Sequence, residues 1–359
     1  MRIAIDLSQI IYGTGVSHYR ENLVKNLMKI DNDNEYLLFG GSLRRYIELS
    51  AKLSQFNGHV FKTQTFPIPP RIANIIWNKL HILPIEKIIG EVNLIHTSDW
   101  AEPPSIYPKV TTVHDLVPFR LPKITPKVII ETHKERLKWV IKESRKIIVP
   151  SLSTKNDLME LGIKEDRIKV IYEAPNLTKA KQEDVELVKK KYGIREDYII
   201  AIGAGARKNT KRLIEAYHLS KYGKNLKLII IGKVMDPELQ IERGIRFLGH
   251  VSDFDLSSLL TGSKALIFPS LYEGLGVPIL DAFNCGVPVV TSNISSMPEA
   301  SGEAAKLVDP YEVGSIADGI EEVLSKPKTY IDKGYKRIKD FSWTKTAEET
   351  LKVYKEAIL

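Results

Sequence analysis

Apolar and polar positions along the 359-residue chain follow two alternating patterns. Continuous apolar runs such as YIIAIG (198–203) and LKLIIIG (226–232) are typical of strands buried on both faces of a parallel sheet, and stretches with helical spacing separate them. The pattern predicts strands at Arg2–Asp6, Glu35–Phe39, Leu94–Thr97, Val110–His114, Lys146–Pro150, Ile168–Ile171, Tyr198–Ile202, Leu226–Ile231, Ile245–Leu248, Ala265–Pro269, Val287–Thr291 and Ala305–Leu307. This alternation indicates an α/β protein with doubly wound sheets.

A polar, proline-containing segment without periodicity, EAPNLTKAKQE at residues 173–183, indicates a domain boundary. We therefore predict two Rossmann-like domains, residues 1–175 and 176–342, that face each other across a cleft. A final helix over residues 343–359, with Ser342 as its N-cap candidate, is predicted to pack back on the first domain.

Composition is that of an ordinary globular protein, with 43% hydrophobic residues. The single cysteine, Cys285, excludes an internal disulfide and a cysteine-based metal site, and we expect it in the core. No apolar run reaches the roughly 18 residues of a membrane span, so a cytoplasmic location is expected. The net charge of +8 is spread along the chain, which favours an anionic ligand or membrane surface over nucleic acid.

Two segments of the first domain leave alternatives open. The basic stretch Lys123–Lys146 is expected to be a helix with a solvated face, or one that contacts anionic lipid headgroups. The apolar stretch Ile72–Ile89 is expected to be a core helix, or an element that faces a lipid or the acceptor. The second reading of each segment implies peripheral contact with the inner face of a membrane.

The richest motif lies at residues 269–302. Glu273 precedes Gly274-Leu275-Gly276, Pro278 suits a first helical turn, and Asp281 follows one turn later. Unpaired N–H groups at a helix start attract phosphate, and carboxylates accept hydrogen bonds from sugar hydroxyls. The motif therefore suits a sugar nucleotide.

The loop Gly13-Thr14-Gly15 lies between the first predicted strand and a helix, where a ligand could approach the backbone closely. A dinucleotide fingerprint would need a further glycine where His18 stands, so the signal for NAD is weak, and a plain tight turn is the alternative. His114 stands at a predicted strand end, where it could line a reacting centre or be a satisfied structural histidine.

Arg207 and Lys208 follow a Gly-Ala-Gly turn and open a predicted helix. Cations at a helix start oppose the helix dipole, so their presence there favours a diphosphate site. Two D-x-D sequences, at residues 31–33 and 253–255, are read as a polar turn and a helix cap. Neither has the supporting ligands of a metal site, so no metal is predicted.

These motifs together resemble the retaining glycosyltransferases of family 4, which have the GT-B architecture. The resemblance covers nearly the whole chain, and the order and spacing of the motifs are more specific than any one of them. Besides the motif at 269–302, the matching stretches are YGTGVSHY, TVHDLVP, AIGAGARKNTKRLIEAY, IRFLGHVSDFDL and FSWTKTAEETLKVY.

The resemblance assigns most of the candidate residues to the donor. It implies that Glu273 contacts hydroxyls of the donor sugar beside the N–H groups of Leu275 and Gly276, and that Asp281 holds the nucleotide ribose. Arg207 and Lys208 would take the diphosphate. The stretch from Phe247 to Val251 would lie along the base, His114 beside the transferred sugar, and the loop of Gly13 and Gly15 beside the donor phosphate and the acceptor.

The sequence departs from the family pattern twice. The second carboxylate is usually a glutamate, and Asp281 is one methylene shorter, so its contact with ribose could run through water or a closer helix. The turn before Lys208 is about one residue shorter than in many members, which leaves open whether Arg207 or Lys208 points at the diphosphate.

The implied reaction moves a hexose from a nucleotide diphosphate sugar to a hydroxyl of a glycan or lipid-linked acceptor, with retention and without metal or cofactor. Mannose from a guanosine donor and glucose from a uridine donor are the leading expectations. Front-face attack, with the leaving phosphate accepting the acceptor's proton, is favoured over a glycosyl-enzyme. A sugar-nucleotide epimerase and a catalytically silent sugar-nucleotide binder are the alternatives.

Overall fold

A computed structural model describes residues 1–98, 100–223, 225–233 and 244–359. The chain divides into two compact units. The first comprises Met1–Glu173 together with Ser342–Leu359, and the second comprises Ala174–Phe341. The last helix therefore belongs to the first unit, although it follows the second in sequence.

The first unit is built on a seven-stranded parallel sheet with the order β3-β2-β1-β4-β5-β6-β7. Its strands are β1 (Arg2–Asp6), β2 (Glu35–Gly41), β3 (Phe61–Phe66), β4 (Leu94–Ser98), β5 (Lys109–Thr112), β6 (Ser144–Val149) and β7 (Ile168–Val170). Its helices before the boundary are α1 (Gly15–Ile30), α2 (Tyr46–Ser54), α3 (Pro70–Ala73), a π-helix (Asn74–Lys79), α4 (Glu86–Ile89), α5 (Val117–Arg120), α6 (Lys127–Glu143) and α7 (Leu152–Glu160), with 3₁₀ turns at Pro122–Ile124 and Glu165–Arg167.

The apolar faces of this sheet are covered on both sides. One core joins the sheet to α1, α2 and the C-terminal helix, through residues such as Leu23, Leu49 and Tyr354. The other joins it to the segment after β3, through Trp77 and Ile85 among others. Burial on both faces explains why the central strands consist of continuous apolar runs.

The second unit repeats the design with a six-stranded parallel sheet, ordered β10-β9-β8-β11-β12-β13. Its elements are α8 (Gln182–Lys191), β8 (Tyr198–Ile202), α9 (Thr210–Leu219), β9 (Lys227–Ile231), β10 (Ile245–Gly249), α10 (Asp253–Thr261), β11 (Leu266–Phe268), α11 (Val277–Cys285), β12 (Val289–Ser292), α12 (Met297–Ser301), β13 (Lys306–Val308), α13 (Val313–Ser325), α14 (Pro327–Arg337) and a 3₁₀ turn (Ile338–Asp340). Helix α15 (Trp343–Ile358) then returns to the first unit. The predicted α/β class with doubly wound sheets is confirmed.

Helix α15 packs along α1. The Tyr354 hydroxyl lies 2.7 Å from Nδ1 of the buried His96 on β4, and Arg145 donates to the carbonyl of Ala357 over 2.9 Å. Burial lowers the pKa of His96 well below its ordinary value, so the imidazole is neutral inside this core.

The stretch Ile72–Ile89 is not one helix, and that reading of the sequence is wrong. It forms α3, the π-helix Asn74–Lys79, a non-helical loop over residues 80–85, and α4. His81 and Leu83 in the loop have φ values of +52° and +61°. Pro84 disfavours helical backbone at the residue before it, which explains why the helix cannot continue.

Two further differences concern strands. Strand β3 was not predicted, because FKTQTF at the sheet edge has four polar residues between two phenylalanines and shows neither an apolar run nor an apolar–polar alternation. The predicted strand Val110–His114 lies instead at Lys109–Thr112, so His114 stands two residues beyond the strand end.

Candidate functional site

Two neighbouring strands of the second unit, β8 and β11, carry most of the predicted donor residues in the loops after their carboxyl ends. The loop after β8 contains Arg207 and Lys208, and the loop after β11 contains Glu273. The backbone N–H of Leu271 donates to the carbonyl of Arg207 over 2.9 Å, which joins the two loops directly. Sequence reasoning grouped these residues, and the topology brings them together.

Glu273 is buried and pairs with both cations. Its Oε1 lies 2.6 Å from Nζ of Lys208 and 2.7 Å from Nη1 of Arg207. Burial alone would raise the pKa of this carboxyl, but the two positive charges outweigh it and hold the pKa below its ordinary value. Glu273 is therefore an ionised acceptor at neutral pH, between two cations that can also serve an anionic ligand.

The Lys208 side chain extends to the Glu273 carboxylate through space that is open because residue 203 is a glycine. Gly203, at φ +88°, lies beside its stem, and a Cβ there would stand 2.7 Å from Cε of Lys208. The ammonium group lies 4.3 Å from the ring centroid of Phe268, at the end of β11. Neither contact was predicted, because both join residues that no local pattern connects.

The main chain at Glu273 is held by two serines that sequence analysis missed. The hydroxyls of Ser295 and Ser296 donate to the Glu273 carbonyl over 3.1 and 2.9 Å. Ser295 has φ +57°, unusual for a residue with a side chain. Sparsely populated backbone of this kind clusters at functional sites.

Gly276, at φ +91°, is the N-cap residue of α11, and Pro278 lies in the first turn, as predicted. Gly274 is half-buried and Leu275 is buried in the same loop. Val251 is buried just past β10, whose last residue, Gly249, accepts a 2.7 Å hydrogen bond from the N–H of Gly232.

Asp281 has a contact that the sequence did not predict. Its Oδ1 accepts hydrogen bonds from the backbone N–H groups of Asn176 and Leu177, over 2.7 and 2.9 Å. The buried carboxylate thus anchors the segment that begins the second unit. Contact between Asp281 and ribose remains a prediction from the resemblance.

His114 lies in the first unit between polar and aromatic neighbours. Its Nδ1 is 3.2 Å from Oε1 of the buried Glu173, its Nε2 is 3.5 Å from Oγ of Ser98, and its ring meets Tyr19 edge to face at 4.7 Å. Glu173 escaped sequence analysis because 59 residues separate it from His114. A carboxylate partner orients an imidazole, which suits a residue at a reacting centre.

The loop of Gly13 and Gly15 is exposed at the start of α1. Gly13 has φ +62°, a conformation that favours glycine, whereas Gly15 is the first helical residue, with open space where a Cβ would stand. Thr14 between them is the N-cap residue and forms a capping box with Ser17. A cavity of about 470 Å³ opens beside this loop within the first unit.

The two D-x-D sequences have structural partners. Asp255 pairs with Lys191 at 2.6 Å and accepts from Tyr192, and Asp31 accepts from Asn34 over 2.7 Å. The N-cap of α10 is Ser252 rather than Asp253. Among residues 1–98, 100–223, 225–233 and 244–359, no group of three or more His, Cys, Asp or Glu side chains is placed to hold a metal ion.

Family models match both units of the chain. The model described as Glycosyltransferase Family 4 matches residues 13–179, and the model described as Glycosyl transferases group 1 matches residues 184–340. Together they span nearly the whole sequence.

Curated relatives include O-antigen chain mannosyltransferase B from Escherichia coli, 30% identical over 281 residues that cover 73% of this chain and 74% of that protein. Serotype-specific mannosyltransferase WbdA from Escherichia coli is 32% identical over 184 residues, 46% of this chain, which span only 22% of its own length.

Among solved structures, Anabaena Alr3699/HepE in complex with UDP and glucose matches with a TM-score of 0.70 at 15% identity, covering 99% of this chain and 100% of that one. At that identity the likeness concerns the fold alone, and the fold is GT-B. With both family models and a 30% identical relative in agreement, the chain belongs to glycosyltransferase family 4.

Proposed function

We propose that this glycosyltransferase moves a hexose, with retention of anomeric configuration, from a nucleotide diphosphate sugar to a hydroxyl of a glycan or lipid-linked acceptor. The observation that supports this most directly is the cluster of Glu273, Lys208 and Arg207 at the carboxyl ends of β8 and β11. One ionised acceptor for sugar hydroxyls stands beside two cations for a diphosphate, as a sugar nucleotide requires.

The cations perform the electrostatic part of the proposed reaction. As the bond between sugar and diphosphate breaks, negative charge grows on the leaving phosphate, and Lys208 and Arg207 can turn toward it from Glu273. Preorganised donors of this kind stabilise the transition state strongly, and they supply positive charge without a metal. The acceptor hydroxyl attacks from the face that the phosphate leaves, and the phosphate accepts its proton. Trapping a covalent sugar adduct would contradict this single step.

His114 is proposed to lie beside the transferred sugar. Glu173 fixes one side of its ring through Nδ1, and the other nitrogen points toward Ser98. An imidazole held in this way can offer a hydrogen bond to a sugar hydroxyl in one defined orientation. We propose a donor-positioning role, which predicts that His114→Ala raises KM for the donor or lowers kcat at temperatures where the variant is still fully folded, although the loss of its contacts with Glu173 and Tyr19 also lowers the melting temperature.

Donor identity is the sharpest first experiment. The names of the mannosyltransferase relatives favour mannose as the transferred sugar. With the guanosine base expected from the family resemblance, GDP-mannose is our leading donor, and UDP-glucose is second. A thermal-shift panel of nucleotide sugars should show one donor stabilising the protein most, because a ligand stabilises the fold according to its affinity. Product analysis by NMR then tests the reaction. An α-linked product from an α-linked donor supports retention, a freed epimer of the donor indicates an epimerase, and binding without any product indicates a silent binder.

A peripheral contact with an anionic bilayer is part of the proposal. In the loop 80–83, Leu80, Ile82 and Leu83 are between 40 and 59% exposed. The ring of His81 between them stacks on Trp139 of α6 at 3.4 Å, and its Nε2 lies 2.7 Å from Glu143.

Helix α6 thus fixes the position of the loop 80–83, whose aliphatic side chains are exposed. Its exposed Lys138 and Lys142 each place an ammonium 5.0 Å from the Trp139 ring centroid, so positive charge borders the apolar loop. Apolar side chains next to lysines are the chemistry that binds anionic lipid surfaces. No helix in the described part of the chain is long and apolar enough to cross a membrane.

Vesicle co-sedimentation tests this contact. We expect the protein to sediment with phosphatidylcholine vesicles that contain phosphatidylglycerol, and Ile82→Ser to weaken binding several-fold. Ile47→Ser, at an even more exposed isoleucine on α2, is the control and should bind as wild type does. Equal binding by both variants, or none by the wild type, would contradict the proposal.

A further inference from the structure

The cavity in the first unit has mainly apolar walls. Ile68, Pro70, Ala73, Trp77, Trp100 and Ala101 line it, together with Tyr12, Val16 and the polar residues Asp6, Ser8, Gln9 and Thr14. The lining residues Tyr12, Thr14 and Val16 alternate with Gly13 and Gly15, so the cavity lies directly beside the glycine loop. Its volume of about 470 Å³ suits a drug-sized group.

Three of the four polar side chains that line the cavity have hydrogen-bond partners within the protein. Oδ1 of Asp6 accepts from the N–H and the hydroxyl of Ser8, over 2.9 and 2.6 Å. The Ser8 hydroxyl in turn accepts from the N–H of Gly41 over 2.9 Å, and Oγ1 of Thr14 lies 3.2 Å from the Ser17 hydroxyl. Asp6, Ser8 and Thr14 therefore bond to β1, β2 and the start of α1, and are less available to a ligand.

This pairing decides what the cavity can bind. A sugar ring placed there would give up hydrogen bonds to water and find few replacements, which is costly. A hydrocarbon chain gives up none, and it gains from covering the apolar walls. The Trp77 indole N–H is engaged too, because it donates to the carbonyl of Leu83 over 3.0 Å.

The surroundings of the cavity indicate that its ligand is amphiphilic. Tyr12 and Trp100 are partly exposed, so the lining continues to the surface. The guanidinium of Arg45 lies 5.3 Å from the ring centroid of Tyr12 and is paired with Glu48, which places polar, charged groups at that edge. A hydrocarbon chain attached to a polar head matches this arrangement, with the chain inside and the head outside.

We propose that this cavity receives the hydrocarbon part of a lipid-linked acceptor. The inference rests on the proposed transfer to an acceptor and narrows the acceptor class from glycan or lipid-linked to lipid-linked. The glycine loop then holds the acceptor between the buried chain and the reacting hydroxyl.

Two probes that differ only in their apolar part test the inference: octyl and methyl α-mannoside, kept below the concentration at which octyl mannoside forms micelles. Because Trp77 and Trp100 line the cavity, binding can be followed by tryptophan fluorescence without any transfer reaction. We expect octyl mannoside to bind at least tenfold more tightly, since burying about two methylenes already corresponds to such a ratio.

Substitutions that fill the cavity should abolish the difference in affinity between octyl and methyl α-mannoside. Ala73→Phe and Ala101→Phe place a ring among the walls, and each should weaken octyl mannoside binding at least tenfold while methyl mannoside binding stays unchanged. Ile72→Phe adds the same ring at the neighbouring exposed position of α3 and should bind as wild type does. Melting curves report whether each variant folds. Should both filled variants unfold, affinity measured over methyl, butyl and octyl mannosides in the wild type decides.

The outcomes separate this inference from the proposed function. Equal affinity for the two mannosides, or a loss of octyl binding in Ile72→Phe equal to that in Ala73→Phe, overturns the cavity assignment. If transfer occurs to both mannosides with equal KM, the cavity assignment fails while the transferase stands. If chain-length-dependent binding is present but no nucleotide sugar supports transfer or binds, the proposed function fails while the apolar cavity stands.

Discussion

The two units place different chemistry in the same topological position. Each has a central strand, β1 or β8, whose following loop leads into the next helix of a doubly wound sheet. After β8 the loop 203–209 carries Arg207 and Lys208. After β1 the loop 7–14 has no Lys or Arg, and its side chains line an apolar cavity.

This contrast shows that the fold determines where a ligand can bind, whereas the residues of the loop determine which class of ligand binds there. A crevice outside the strand ends can take any ligand, and the charge of the loop decides which one. The cationic loop suits a diphosphate. The uncharged loop suits an apolar group, which is why we associate the first unit with the acceptor and the second with the donor.

The largest expected effect concerns the cationic loop. Lys208→Ala should lower kcat about a hundredfold or more, because it removes a preorganised donor at the position where charge develops. Steady-state kinetics with the donor found by thermal shift gives the measurement.

Lys211→Ala is the matched control for that variant. It removes the same charge from an exposed position on α9, three residues further along, and should keep wild-type turnover. If Lys208→Ala turned over like wild type, the diphosphate assignment would be lost, and with it the contrast between the two loops.

The second expected effect is on the stability of the second unit. Asp281→Ala leaves the backbone N–H groups of Asn176 and Leu177 without their acceptor, and we expect it to lower the free energy of unfolding by about 2 kcal/mol. Asp281→Asn retains an acceptor oxygen and should cost about half as much. Urea denaturation measures both. Loss of donor affinity with unchanged stability would instead indicate that ribose contact dominates.

Much of this arrangement was readable from sequence, for a physical reason. Strands buried on both faces leave continuous apolar runs, and the cationic turn opposes the helix dipole, so both features are visible locally. Other features join residues that no local pattern connects: the contact of His114 with Glu173, the contact of Lys208 with Gly203, and the walls of the cavity. No local periodicity encodes such contacts. The loop 80–85 was wrongly predicted as part of a helix because its apolar residues suggested a core helix, although Pro84 disfavours helical backbone before it.

The third expected effect distinguishes the kinetic cost of backbone strain from that of displacing the Lys208 side chain. Gly203→Ala and Gly205→Ala both place a side chain at positive φ, +88° and +114°, and each should cost about 1–2 kcal/mol of stability. Only at position 203 does the new Cβ meet the Lys208 stem, whereas nothing lies within 4 Å at position 205. Gly203→Ala alone should therefore lower kcat/KM for the donor. Equal kinetic losses in both variants would show that strain, and not displacement of Lys208, is responsible.

The smallest effect compares a buried carboxyl from each unit by its pH dependence. Burial raises the pKa of Asp6 above its ordinary 3.8, despite the hydrogen bonds from Ser8. Folding therefore favours the protonated form, and wild type should lose stability relative to Asp6→Asn as the pH rises above about 3.8. The pKa of Glu273 is instead lowered from 4.5, so the stabilisation from its ionised form is complete above that pH.

Wild type should accordingly lose stability relative to Glu273→Gln as the pH falls below about 4.5. Urea denaturation of wild type and both variants from pH 3 to 7 gives the two slopes, and the slopes matter rather than the offsets, because each substitution also changes packing. Opposite signs are expected, since one carboxyl adjoins an apolar cavity and the other adjoins two cations. Slopes of the same sign would mean that the surroundings of the two carboxyls do not differ in electrostatic character, and the division into an apolar acceptor side and a charged donor side would lose its physical basis.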